Sequence, residues 1–155
     1  MTVVEEIWIG EVTEGPLTAV DTVKALAGVG LEGDRYATGK GHYSGDPIWD
    51  ADITFIGIEA FEAVNAEQGG ALKTSDLRRN VVLRGIDPHD LVGQTFRIGG
   101  ATFHGTKVWP PCRYIADRLG DLQILRWFAH RAGIGASVVT AGSFSVGDAL
   151  VLDAG

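Results

Sequence analysis

Apolar residues in this chain come in short runs separated by glycine and polar turns, a pattern of many strands and few helices. Alternation is clearest at Thr95–Ile98, where Phe96 and Ile98 share one face and Thr95 and Arg97 the other. Gly99-Gly100 then supplies a two-residue hairpin turn into a second strand over Ala101–Trp109. Further strands are predicted at Glu6–Val12, Asp52–Ile56, Asn80–Arg84, Ala136–Thr140 and Ala149–Asp153. Two segments carry helical spacing instead. In Ile58–Gln68 the apolar residues Ile58, Phe61 and Val64 fall on one side, and Gly69-Gly70 provides the stop. In Asp121–Ala132, Asp121 is placed to cap a stripe of Leu122, Leu125, Phe128, Ala129 and Ala132, with Gly133 as terminator.

Ala37–Ala51 fits neither period. It holds Gly39, Gly41, Gly45 and Pro47 among His42, Tyr43 and Trp49, and a polar glycine-rich loop of this length is often functional. No linker or change of composition divides the 155 residues, so one domain, 1–155, is expected. Hydrophobic residues at 45% leave enough apolar surface for a core.

Thirteen basic against twenty acidic side chains give a formal net charge of −7, which argues against a nucleic-acid or anionic-membrane surface. A small basic pocket inside an acidic shell remains compatible with that sum. The first residues lack the pattern of a secretory signal, and no apolar stretch approaches a membrane span. One cysteine permits no internal disulfide, and a cytoplasmic location is expected.

That cysteine, Cys112, follows Trp109-Pro110-Pro111 and precedes Arg113. The prolines fix the local backbone, and an adjacent arginine and helix start would favour the thiolate, which binds soft metals and attacks electrophiles. A free cysteine is also among the most buried residue types, and local chemistry alone favours a small buried hydrophobe over a reactive thiol. The four histidines, His42, His89, His104 and His130, are scattered, so no zinc site is expected. Leu77-Arg78-Arg79-Asn80 could grip a phosphate or the edge of a heterocycle, or form a solvated strand entrance. Gly30-Leu-Glu-Gly-Asp-Arg-Tyr36 allows close backbone approach to a ligand, or a plain turn with a surface ion pair. Templates for a P-loop, a zinc protease helix and a serine nucleophile elbow are all missing.

Taken in order, these pieces resemble one family. Gly30–Tyr36, Ile53-Thr-Phe-Ile-Gly-Ile-Glu-Ala60, Leu77–Gly85, Leu91-Val-Gly-Gln-Thr-Phe-Arg-Ile-Gly99, Pro110-Pro-Cys112, His130–Val139 and Val146-Gly-Asp148 follow the sequence of a standalone, bacterial-type MOSC domain, named for the C-terminal domain of molybdenum-cofactor sulfurase. The resemblance runs from about residue 7 to residue 152. It implies a mainly β, β-barrel-like domain (the PK β-barrel type) with peripheral helices. It also implies a molybdenum-pterin cofactor with Cys112 as metal ligand and catalytic residue. Arg35, Arg78 and Asn80 match cofactor-facing positions, and Trp109 and Pro110 lie near the metal. Some members reduce N-hydroxylated compounds with electrons from a partner protein. Others are proposed to carry sulfur as a cysteine persulfide loaded by a cysteine desulfurase, and a non-catalytic cofactor-binding module is a third role. The chain departs from the family's reductases in lacking a Lys-Ser step beside Glu14-Gly15, in reading Arg-Arg-Asn where one branch has Gly-Glu-Asn, and in having no iron–sulfur or flavin segment.

Overall fold

In the computed structural model, which describes residues 1–47 and 50–153, the alternating segments pair into a curled sheet; Trp49 lies outside those residues. The strands are β1 (Val3–Ile9), β2 (Thr18–Val20), β3 (Thr22–Leu26), β4 (Gly30–Leu31), β5 (Ile53–Gly57), β6 (Val81–Arg84), β7 (Thr95–Ile98), β8 (Ala101–Val108), β9 (Ile134–Thr140), β10 (Gly142–Ser145) and β11 (Leu150–Leu152). The helices are α1 (Ile58–Gln68), α2 (Arg113–Leu119) and α3 (Ile124–Trp127), with a single 3-10 turn at Pro88–Leu91. Eight strands form one sheet in the order β11-β7-β8-β9-β5-β6-β1-β2, and β10-β3-β4 form a second. Among the described residues β5 and β6 are the sheet neighbours that run parallel, and α1 makes the crossover between them.

The large sheet curls far enough for its ends to meet. A bridge joins Val3 to Ala149, with Val4 N–H donating to the Asp148 carbonyl (3.0 Å) and Leu150 N–H to the Thr2 carbonyl (2.9 Å). The ends of the circuit from β1 around to β11 are thereby bridged, while β2 lies beyond β1 as the end strand of the sheet. Alternation then sorts side chains to two sides. Ile53, Phe55, Val81, Leu83, Phe96, Phe103 and Phe144 fill the interior. Phe55, Phe96, Phe103 and Phe144 meet there with ring centroids 5.4–5.6 Å apart. Each buried ring of this kind contributes about 1.5–3 kcal/mol through loss of water contact. Ile56 and Val82 point outward instead, into a second cluster with Phe61, Val64, Ile115 and Phe128. β5 is therefore buried along its whole length, since both of its faces are covered.

The predicted hairpin at Thr95–Ile98 and Ala101 onward is present, with Ile98 opposite Ala101 across Gly99-Gly100. Helix α1 has the predicted bounds; Phe61 and Val64 are buried, and Gly69 closes it in the left-handed region at φ 62°. Three readings change. The first strand begins and ends earlier than Glu6–Val12, because Gly10 leaves the sheet to bind Asp34 through its N–H (3.0 Å) and Arg35 through its carbonyl (2.6 Å). The helix predicted over Asp121–Ala132 is reduced to one turn, α3. Asp121 does accept from Gln123 N–H (2.9 Å), but His130 at φ 65° and Gly133 at φ 99° turn the chain toward β9. The third change is in strand number: β2, β3, β4 and β10 are short strands that the sequence pattern did not signal. Among the described residues no helix is long and apolar enough to cross a membrane.

Candidate functional site

Four loops converge beside one end of the sheet. The turn Trp109-Pro110-Pro111 leads out of β8 and places Cys112 at the N-cap of α2, where its backbone is extended (φ −123°, ψ 164°) and its side chain makes no capping bond. The thiol is partly exposed and lines a small cavity with Thr13, Arg35, Tyr36, His42, Tyr43, Leu77, Arg78, Arg79, Trp109, Tyr114 and Ile115.

Arg35 reaches this cavity from the loop after β4. Asp34, only 1% exposed, accepts from Gly10 N–H, from Tyr36 N–H and from the Arg35 guanidinium at 2.9 Å. The second face of that guanidinium donates to the Arg78 carbonyl (3.2 Å). The Asp34–Arg35 pair is therefore a buried clamp joining three segments, in place of a surface ion pair. Arg78 itself is 7% exposed and holds φ 59°, a left-handed conformation unusual for a residue with a side chain. It donates to the Thr13 carbonyl (2.9 Å). Burial, followed by repulsion from Arg35 and Arg118, lowers its pKa to about 10.

Arg79 is the deepest cation. It spends its donors on backbone carbonyls: Ala132 (2.9 Å), Leu77 (3.2 Å), Trp109 (3.0 Å) and Pro110 (3.3 Å). It thus ties the cysteine turn to the approach of β9. Burial lowers its pKa to about 10, while its attraction to Cys112 acts in the opposite direction. At neutral pH it remains charged. Neither Arg78 nor Arg79 forms an ion pair with a carboxylate among the described residues. Buried charges are ordinarily paired, so these two leave an excess of positive charge beside the thiol.

Aromatic residues cover the cavity. Tyr43 lines the cavity with Cys112, and burial, followed by the neighbouring thiol, raises its pKa well above the usual phenol value. Its ring meets Trp109 edge-on at 5.6 Å. The His42 ring stacks on Tyr114 at 3.9 Å and 12°. The Tyr114 hydroxyl donates to the Thr13 carbonyl (2.8 Å), beside a Thr13 hydroxyl that is buried and has no partner among the described residues.

Of the residues singled out in the sequence, Cys112, Arg35, Arg78 and Trp109 share this cavity wall. Pro110 is exposed and contributes its carbonyl to Arg79. Asn80 is placed in the frame behind the cavity. Its side-chain oxygen accepts from Thr54 N–H (3.1 Å) and the Thr54 hydroxyl (3.3 Å), and its amide donates to the Trp8 carbonyl (3.2 Å). Arg79 and the tyrosines were not singled out as ligand-facing residues. The signal for Arg79 lay in the quoted Arg-Arg pair, and that for His42 and Tyr43 in the aromatic content of an aperiodic loop. Among the described residues no group of three or more His, Cys, Asp or Glu side chains could hold a metal ion by itself.

Fold and site together define a recognised class. The family model for the MOSC domain matches residues 34–151, and the chain belongs to that family. Its fold is shared with solved structures of low identity. YuaD from Bacillus subtilis is 20% identical with a TM-score of 0.78, over 97% of this chain and 94% of that one. YiiM from Geobacillus stearothermophilus is 19% identical with a TM-score of 0.73, over 99% of this chain and 76% of that one. YiiM from Escherichia coli is 19% identical with a TM-score of 0.72, over 100% and 71%. No curated protein sequence matches the chain.

Proposed function

We propose that this protein binds a molybdenum-pterin cofactor at Cys112 and reduces N-hydroxylated compounds there. The observation that carries the reading is the pair of buried guanidiniums, Arg78 and Arg79, set beside a lone thiol without a carboxylate to neutralise them. A soft sulfur donor next to uncompensated positive charge suits an anionic cofactor that brings its own additional metal ligands. It suits less well a metal held entirely by protein. Cys112 would supply the protein's sulfur ligand, Arg35 and Arg78 would hold anionic groups of the cofactor, and Arg79 would fix the cysteine turn and the local field. Asn80 contributes by keeping β5, β6 and β1 in register behind them. The cofactor supplies the redox chemistry: an N–OH group takes up electrons and protons and leaves as amine and water. The chain's part is to orient the substrate and keep water from the reacting atoms. Electrons would come from a partner protein.

A second reading is favoured by the size of the cavity, about 20 Å³, which is room for one atom the size of a water molecule or a sulfur. In that case Cys112 would hold a persulfide loaded by a cysteine desulfurase, its charge balanced by Arg79.

One preparation separates the two. The protein is purified from a host that makes molybdenum cofactor, and its metal and pterin are measured beside Cys112→Ser. The first reading expects molybdenum near one equivalent in the wild type, lost in the variant, and reduction of a hydroxylated base by a reduced viologen. Wild-type protein that stays free of metal and pterin yet accepts persulfide sulfur from a desulfurase would overturn it.

A further inference from the structure

The cavity at Cys112 is too small for the ligand that its chemistry suits. Small-molecule and cofactor sites occupy roughly 300–1,000 Å³, whereas this one offers about 20 Å³. Part of its wall is a strap of this chain, Gly39–Gly45, through His42 and Tyr43. Tyr43 lines the cavity together with Cys112 and lies edge-on to Trp109, while His42 stacks on Tyr114.

The strap is built to be held by these side chains and by little else. Its backbone bonds run from Lys40 N–H to the Arg35 carbonyl (2.7 Å), from Gly41 N–H to the Ser44 hydroxyl (2.8 Å), from Ser44 N–H to the Gly41 carbonyl (3.0 Å), from Asp46 N–H to the Tyr43 carbonyl (2.9 Å) and from Tyr43 N–H to the Tyr36 hydroxyl (3.4 Å). Among the described residues, none of these joins it to a strand. At each end stands a glycine in the left-handed region, Gly39 at φ 75° and Gly45 at φ 81°, and a Cβ at either position would meet nothing within 4 Å. Both ends are therefore free of packing, and both have the conformational range a hinge needs. Gly41, between them, leaves the room that the Tyr36 ring fills. A segment with few backbone bonds and no buried apolar anchor of its own opens at low free-energy cost.

We infer that Tyr43 is a gate. In the closed state its ring occupies the space that a ligand of Cys112 requires, and the strap swings about Gly39 and Gly45 to admit that ligand. The closed cavity passes groups of a few atoms, and the open one passes a planar ring system. This inference rests on Cys112 being the ligand-bearing residue, but its test needs no metal.

Cys112 is the chain's sole cysteine, so thiol labelling of the full-length, metal-free protein reads this site alone. Two neutral maleimides with the same reactive group are compared, N-ethylmaleimide and N-pyrenylmaleimide. In the wild type the small reagent reacts much faster than the large one. In Tyr43→Ala the rate for the pyrenyl reagent rises about tenfold or more, as expected when the open population increases, while the ethyl reagent changes about twofold or less. His42→Ala, which touches Tyr114 and leaves the thiol's own neighbours in place, moves the ratio in the same direction and serves if Tyr43→Ala does not fold. Tyr43→Phe keeps the ring and loses the hydroxyl, so its size discrimination stays close to that of wild type. Equal acceleration of both reagents in Tyr43→Ala would show that Tyr43 tunes thiol reactivity only, and would overturn the gate. So would an unchanged rate for the pyrenyl reagent. Molybdenum content is measured separately, so the gate and the cofactor reading can fail independently.

Discussion

Arg78 holds its backbone at φ 59°, a conformation that costs a residue with a Cβ roughly 1–2 kcal/mol. Its side chain's hydrogen bond to the Thr13 carbonyl returns about 1 kcal/mol. Strain of this kind persists where a side chain is needed in one place. Asn80, two positions on, has the opposite balance: removing its side chain takes the acceptor from the buried Thr54 amide and hydroxyl and the donor from the half-buried Trp8 carbonyl, leaving only the Asn80 N–H on the Thr54 hydroxyl (2.9 Å). Arg78→Gly is therefore expected to unfold in urea within about 1 kcal/mol of wild type, and Asn80→Ala about 3 kcal/mol earlier. Arg78→Gly should nevertheless lose bound cofactor. Equal destabilisation by both substitutions would make Arg78 a structural residue and remove it from the site. Arg78 and Asn80 share one tetrapeptide, which made the segment conspicuous in the sequence, but their roles were not separable there. Which of Leu77-Arg78-Arg79-Asn80 faces a ligand depends on a left-handed backbone at Arg78, and no residue type announces that. Arg79 escaped for a related reason: its partners are carbonyls of Ala132, Leu77, Trp109 and Pro110, and backbone acceptors leave no mark in a sequence.

Strands with a clear apolar run or alternation of their own were legible, including β5, β9 and β11, whose partners are distant in sequence, and the short strands β2, β3, β4 and β10 were not. β7 and β8 are joined by Gly99-Gly100, and each alternates on its own. β3 instead pairs with β10, Val23 lying opposite Phe144, and β4 consists of two residues added to β3. Such short segments owe their conformation to a distant partner. Asp52, just ahead of β5, illustrates what this linking demands. Its carboxylate accepts from Val138 N–H (2.9 Å) in β9, and burial raises its pKa while that bond opposes the shift. A carboxyl whose folded pKa lies above its unfolded value favours folding at low pH, and that contribution is lost as pH rises through the folded value. Asp52→Asn keeps an oxygen for Val138 and drops the charge. The variant is expected to gain on wild type toward neutral pH, where the wild-type carboxyl is charged, and to show no gain near pH 3, where that carboxyl is protonated. Thermal melts across that range check the sign; a loss at neutral pH would mean that the charge strengthens the bond to Val138 more than burial penalises it.

At the scale of the whole molecule two opposing fields meet at Cys112. The chain carries a net charge of −7, which repels an anion approaching from solvent. The cavity wall carries Arg78 and Arg79 without paired carboxylates, plus Arg35 neutralised by Asp34. Distance decides between them. A unit charge about 5 Å away acts with roughly 3 kcal/mol at an effective dielectric of about 20. Surface charges beyond about 10 Å are largely screened at 0.1 M salt. The local cations should therefore dominate, and the acidic shell should matter only in very dilute buffer. Iodoacetate and iodoacetamide are nearly equal in size and differ in charge, so the ratio of their rates at Cys112 isolates the field from access. That ratio is expected to fall severalfold on replacing Arg78 by Gln, and to fall in wild type as salt rises from about 0.1 M to 1 M, because added ions screen the attraction. A ratio that climbs with salt over that range would mean that the shell outweighs the pocket. Recruitment of an anionic cofactor would then have to rely on contacts made after the strap opens, with no help from the field at the entrance.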